Sequence, residues 1–327
     1  MIQKTTVMPF HLSDDNYLFF DIFYKDNNVY LILPIYNTPV HSDDIKIKIE
    51  NGTSIALTEM YTKDQYEPIQ ILIYNYPSSH KHITVYVEYA NLIKTFELDH
   101  IPCPVNTRNL SITTLFLDDY KLFTIFYDYY KCQGVEHFYM YYNGLITQDI
   151  IDMFNQCDVT LIEWDFKYWN IWNTLNGSKV LCKYLHHAQL GQMHHAIYKY
   201  GKNVYEYMIF CDMDEYLHIP NYKIKDFVLS NNTIDTFGFR NRWSVTLDNT
   251  IPQSFPKSFL TSSKTQEYSK RSKNIHKLQS VHTISIHYGH SYNKDPKVIN
   301  SFVSFHFYNW STVSRTMNVC DMMVCIE

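Results

Sequence analysis

Apolar and polar positions change places in short runs over the first third of the chain. "YLFFDIFY", "NVYLILPIY", "IKIKIE", "IQILIYNY" and "HITVYVEYA" are separated by clusters of Asn, Asp, Ser and Pro, and none shows a convincing helical period. Runs of this length and spacing predict an antiparallel β-sandwich of about seven strands. "HIPCPVNTRN", with Pro102 and Pro104, reads as a linker, which sets a first domain at residues 1–105.

The pattern then changes. "SITTLFL" (111–117) is a strand ending at Asp118-Asp119, a plausible helix N-cap. "YKLFTIFYDYYKCQ" follows at helical spacing and stops at Gly134. "VEHFYMYY" is the next strand, "TQDIIDMFNQC" the next helix and "VTLIEW" a third strand. A long helix is expected from about Ser178 to Tyr200, closed by Gly201, before a fourth strand inside "YEYMIFCDMDEYLHI". Strand–helix alternation predicts an α/β domain over 106–327, with a mostly parallel sheet covered on both faces.

That fourth strand ends abruptly. The apolar run Tyr207–Cys211 stops on Asp212, Asp214 and Glu215. Open α/β sheets bind ligands at the carboxyl ends of their strands. Residues at i and i+2 of an extended chain point the same way, so Asp212 and Asp214 can reach one ligand. Two hard oxygen donors side by side suit Mg²⁺ or Mn²⁺ that also holds a diphosphate. The competing reading is a solvated acidic loop after a strand.

Composition narrows the field. The chain has 327 residues, 46% hydrophobic and 17% aromatic, ample for a large core. Its 28 basic and 33 acidic residues give a net charge of -5 without a basic face, which argues against nucleic acid. Seven cysteines at scattered positions form no C-x-x-C pair and read as reduced core residues. No 18-residue apolar window predicts a membrane span. The N-terminus lacks the apolar stretch of a signal peptide, so a cytoplasmic location is expected, and a virus-infected host cell would also serve. Only 8 glycines are present, with neither a G-x-G-x-x-G nor a G-x-x-x-x-G-K-[ST] loop. Negative charge on a ligand must then be met by a metal or by side chains.

Several stretches together resemble glycosyltransferase family 92. "LFLDDYKLFTIFYDYYKCQGVEHFYMYYNG" carries Gly134, Val135, Phe138, Tyr139, Tyr141 and Asn143 in the family's order. "HHAQLGQMHHAIYKYG" followed by "YMIFCDMDEYLHIP" is similar to its Gln-bearing helix and Asp-x-Asp-Glu-aromatic motif. "FGFRNRW", "KRSKNIHK" and "VHTISIHYGH" match more loosely, so the resemblance spans roughly 111–310.

The resemblance implies a GT-A fold, with a Rossmann-like sheet, and an inverting transferase using a UDP-sugar, galactose first, on a glycan or glycoconjugate acceptor. It implies Mn²⁺ (or Mg²⁺) bound directly by Asp214, with Asp212 on the ribose or a metal-bound water and Glu215 supporting both. His287 is the candidate for completing the metal shell, with His290 second. Lys273 and Lys277 are candidates for the diphosphate, and each could equally be a solvated surface lysine. Gln192 lies in the stripe Leu181, Leu185, Ala188, Gln192, Ala196, where either a donor nucleotide or a backbone carbonyl could satisfy it. His187 and His194, about 10 Å apart along a helix, cannot clamp one ion. Asp248 and Glu267 lie where acceptor-side residues are expected, but neither sits in a recognisable motif.

Other readings stay open at this point. A haloacid-dehalogenase-like phosphatase also ends an apolar strand on Asp-x-Asp, though on its first strand and with Thr or Val where Tyr216 stands. An EF-hand would need glycine at the position of Leu217. A non-catalytic carbohydrate-binding or structural protein remains the non-enzyme alternative. The sandwich could position an acceptor, mediate homo-oligomerisation or only support the second domain.

Overall fold

The computed structural model describes residues 3–13, 16–35, 39–50, 52–63, 69–78, 80–166, 173–175, 178–180, 187–246, 250–268, 271–310 and 323–326. For 173–175, 178–180, 187 and 323–326 it describes the backbone alone. The protein is a mixed α/β chain with strand-rich sheets and few helices, divided into two compact units. One comprises Thr6–Asn106 and Phe166–Val204, the other Met1–Thr5, Thr107–Asp165 and Tyr205–Glu327. The break at 106/107 lies inside the stretch 100–109 read as a linker, one residue beyond the expected boundary. Segment 166–204, expected in the second domain, groups with the first unit instead.

The first unit is built on a seven-stranded sheet. Its order is Lys46–Ile49, His82–Tyr89, Leu92–Ile101, Asp21–Lys25, Asn28–Pro34, Ile69–Asn75 and Leu57–Lys63. All neighbours are antiparallel except a short parallel join of His100 and Ile101 with Tyr24 and Lys25. Two hairpins turn on left-handed pairs, Asp26-Asn27 and Ala90-Asn91, the backbone that a two-residue turn between twisted strands requires. Leu31 and Leu72 from one end of the sheet share a core with Ile47, Val85 and Leu98 from the other.

The helix on this unit is shorter than its pattern predicts. Strands Asn173–Leu175 and Ser178–Val180 pair as a hairpin, and the α-helix runs His187–His195 before widening into a π-helix, Ala196–Gly201. It packs on strands Asn28–Pro34 and Ile69–Asn75. A buried network fixes it there. Asp21 Oδ2 accepts from His195 Nε2 and Lys199 Nζ, each at 2.7 Å. Lys25, fully buried, donates to the carbonyls of Tyr198, Lys199 and Lys202.

This network makes the unit acid-sensitive. Burial acts to raise the Asp21 carboxyl, but Lys199 and His195 outweigh it and hold it at about 2. Burial depresses His195 to about 4. Both groups are lowered on folding, so the unfolded chain binds more protons as pH falls, first below the ordinary histidine range and then below the carboxylate range. Stability present at pH 7 is therefore lost on acidification. The His195 step alone is expected to cost on the order of 3 kcal/mol between pH 7 and 4. Thermal melts across that range should show it, and His195→Gln should flatten the slope; an unchanged slope would count against this origin.

The second unit holds a sheet that is mixed rather than mostly parallel as expected, with its parallel strands at one end. Gln3–Thr5, Val159–Glu163, His137–Tyr142, Arg108–Phe116 and Tyr205–Phe210 are successive parallel neighbours. Beyond the central Tyr205–Phe210 strand the sheet turns antiparallel through Lys273–Lys277 and Thr236–Val245. Strand Val298–Phe307 lies parallel to Thr236–Val245 and pairs antiparallel with Glu215–His218. Helices Phe123–Cys132 and Ile224–Ser230 contribute to one large core with the sheet. Asp118 and Asp119 do not cap the first helix; they occupy the first turn of a 3-10 segment, Asp118–Leu122, ahead of it. Acidic side chains there still favour the positive end of the helix. Gly134 has a left-handed φ of 92°, which ends the helix as its position predicts. Among the described residues no helix is long and apolar enough to cross a membrane.

Candidate functional site

The central strand is buried because it is flanked on both sides, by Arg108–Phe116 in parallel and by Lys273–Lys277 antiparallel, inside the large core. It delivers Cys211, Met213, Asp214 and Glu215 in buried positions, while the Asp212 side chain keeps 35% of its surface exposed. The chain turns at once. Glu215 N donates to Asp212 O at 3.1 Å, and Asp212 N donates to Glu215 Oε2 at 3.0 Å. Glu215 thereby closes the turn that presents the two aspartates. Tyr130 braces the turn from the helix side, donating to the Glu215 carbonyl at 2.8 Å and accepting from Leu217 N at 3.1 Å.

Two cations face the three carboxylates. Lys273 Nζ lies 2.8 Å from Asp212 Oδ2 and 3.0 Å from Glu215 Oε2. His306 Nε2 lies 3.1 Å from Asp214 Oδ2, and its Nδ1 lies 3.1 Å from Glu215 Oε1 and 3.0 Å from Asn241 Oδ1. Burial would raise Glu215, but Lys273 and His306 hold it at about 2. Burial would lower His306, but Asp214 and Glu215 carry it to about 9. Burial likewise acts against the Lys273 ammonium, and Asp212 and Glu215 overcome it, raising the group above the ordinary lysine value. The protein's own side chains thus supply part of the charge balance expected of a metal.

The carboxylates suit a metal as well. Ligand atoms of Asp212, Asp214 and Glu215 all lie within 4.8 Å of one another, the group among the described residues that could hold one. Hard carboxylate oxygens match Mn²⁺ or Mg²⁺, and Asp212 is reachable from solvent. Buried Asn241 Nδ2, which has no hydrogen-bond partner among the described residues, belongs to the amide that receives His306.

The remaining expected residues fall elsewhere. Lys277 lies farther along the Lys273 strand, where it meets Glu206 at 3.5 Å and the Asn232 carbonyl at 2.6 Å. His287 Nδ1 donates to the Ser272 carbonyl at 3.1 Å, and His290 Nδ1 meets Thr283 Oγ1 at 3.1 Å. Gln192 is buried in the helix of the first unit. Asp248, Leu181 and Leu185 lie outside the described residues. The histidine on the carboxylates is His306, which the pattern reading missed. Its signal was present in "SFVSFHFYNW", where Ser304 and His306 form a polar face between Val303, Phe305 and Phe307.

The family model for glycosyltransferase family 92 matches residues 110–321, covering the central strand, the carboxylate turn and His306. No curated protein matches the chain. Among solved structures, amylomaltase from Corynebacterium glutamicum is 10% identical with a TM-score of 0.16. The likeness covers 37% of this chain and only 20% of that one.

Proposed function

The chain belongs to glycosyltransferase family 92 and is a glycosyltransferase, and from that premise we propose that it transfers a hexose, galactose first, from a UDP-sugar to a glycan or glycoconjugate acceptor with inversion. The catalytic unit is read as a GT-A fold and the first unit as a β-sandwich accessory to it. The observation that carries the reading is the convergence of three carboxylates at the carboxyl end of the central parallel strand.

Asp214 and Asp212 are the residues that would hold Mn²⁺ or Mg²⁺, which when bound would offset the charge developing on the departing diphosphate. Glu215 keeps the two aspartates in register by closing their turn. Lys273, already paired with Asp212, is the cation best placed to help neutralise a diphosphate brought to that carboxylate. His306 fixes the Asp214 carboxylate through one ring nitrogen while the other is held by Asn241 and Glu215. Such bracing limits the reorganisation that transition-state stabilisation would otherwise require.

Calorimetric titration of UDP into the protein, with and without Mn²⁺, tests the donor assignment. Binding that needs the metal is expected. Equal binding in both conditions would remove the metal from the reading, and no binding in either would sink the UDP donor. A phosphatase is the alternative to try in that event.

A further inference from the structure

Gln266, Glu267, Arg271 and His287 line a cleft of about 510 Å³ in the second unit. That volume falls within the range of small-molecule sites. A chain of contacts ties the cleft to the carboxylate site. Arg271 lies 5.1 Å over the Trp243 ring, and Trp243 packs on His306 with ring centroids 4.4 Å apart. The backbone of Gln266 donates to Asn241 O at 2.9 Å, and the Asn241 side chain holds His306. The carbonyl that receives His287 belongs to Ser272, next to Lys273.

Arg271 is solvent-exposed, and its backbone is unusual. Its φ of 55° lies in the left-handed region, which is strained for a non-glycine residue and is retained where surrounding structure over-determines it. Among the described residues its guanidinium pairs with no carboxylate, and its described partner is the Trp243 face. The cleft as a whole offers a forked donor, a carboxylate, an amide and an imidazole. A diphosphate would meet repulsion from Glu267. A neutral polyhydroxylated ring matches this set, because each hydroxyl both donates and accepts.

We propose that this cleft is the acceptor-sugar subsite, with Arg271, steadied on Trp243, as the residue that hydrogen-bonds the sugar's hydroxyls. The assignment rests on the transferase reading above and adds where and by what chemistry the acceptor is held. The cation–π contact with Trp243 restrains a guanidinium that would otherwise lose more rotamer freedom on binding.

Saturation-transfer NMR on the full chain, with UDP and Mn²⁺ present, tests it using the methyl β-glycosides of galactose, glucose and N-acetylglucosamine. Arg271→Gly is the informative variant, because glycine accepts the left-handed backbone and removes only the side chain. At least one glycoside should give signals on the unaltered protein. Its binding should weaken at least about tenfold in Arg271→Gly, as expected for losing hydrogen bonds from a charged donor. Gln266→Ala should weaken it less. Equal signals in Arg271→Gly, or no signal from any glycoside on unaltered protein that does bind UDP, would overturn the subsite. Protein that binds no UDP yet shows Arg271-dependent glycoside signals would instead overturn the donor reading and support this one.

Discussion

Asp214→Asn is expected to lower sugar transfer by about 10²–10³-fold, the loss seen when one preorganised electrostatic group is removed from a transition state. Asparagine keeps the shape of the side chain, and its amide can still meet His306. The variant therefore isolates charge from packing at a position only 2% exposed. Transfer of labelled galactose from UDP-galactose measures the effect, and a thermal melt run alongside shows whether the fold is intact. Activity within about threefold of the starting protein, with an unchanged melt, would mean that Asp214 does not carry the charge the reaction depends on.

Lys273→Met is expected to cost about 3–5 kcal/mol of stability, because removing one partner of a buried pair strands the other. Glu215 is 1% exposed, and Lys273 supplies one of its two cations. His306 alone would then face Asp214 and Glu215 together. Urea unfolding should show a lower midpoint with little change in slope. Adding Glu215→Gln should recover much of the loss, since the stranded charge is gone and the two sites interact directly. A loss under about 1 kcal/mol in the single variant would show that Glu215 does not depend on the ammonium.

The central strand and its carboxylates were legible because a parallel strand buried on both faces has few sequence solutions. An unbroken apolar run ending on charge is one of them. His306 was not legible from spacing, since it reaches Asp214 from 92 residues away through the pairing of Glu215–His218 with Val298–Phe307. Strand alternation marked its polar face without saying what that face meets. The helix ending at Tyr200 was assigned by chain order to the sheet that follows it. Its allegiance was written instead in Asp21, a lone acid inside "YLFFDIFY", and in His195 and Lys199 one helical turn apart. A buried acid demands a partner, and two stood on that helix.

The grouping of 166–204 with 6–106 sets a timetable for synthesis. When the ribosome has released the first 106 residues, Asp21 and Lys25 have no helix to meet, and both are groups that the finished unit buries completely. About 100 more residues must emerge before that helix is available, roughly 5–20 s at ordinary elongation rates. Throughout that interval strands of the other unit are already leaving the ribosome. A nascent chain stalled near residue 150 should therefore leave its N-terminal unit open to protease, and one stalled well past 204 should not.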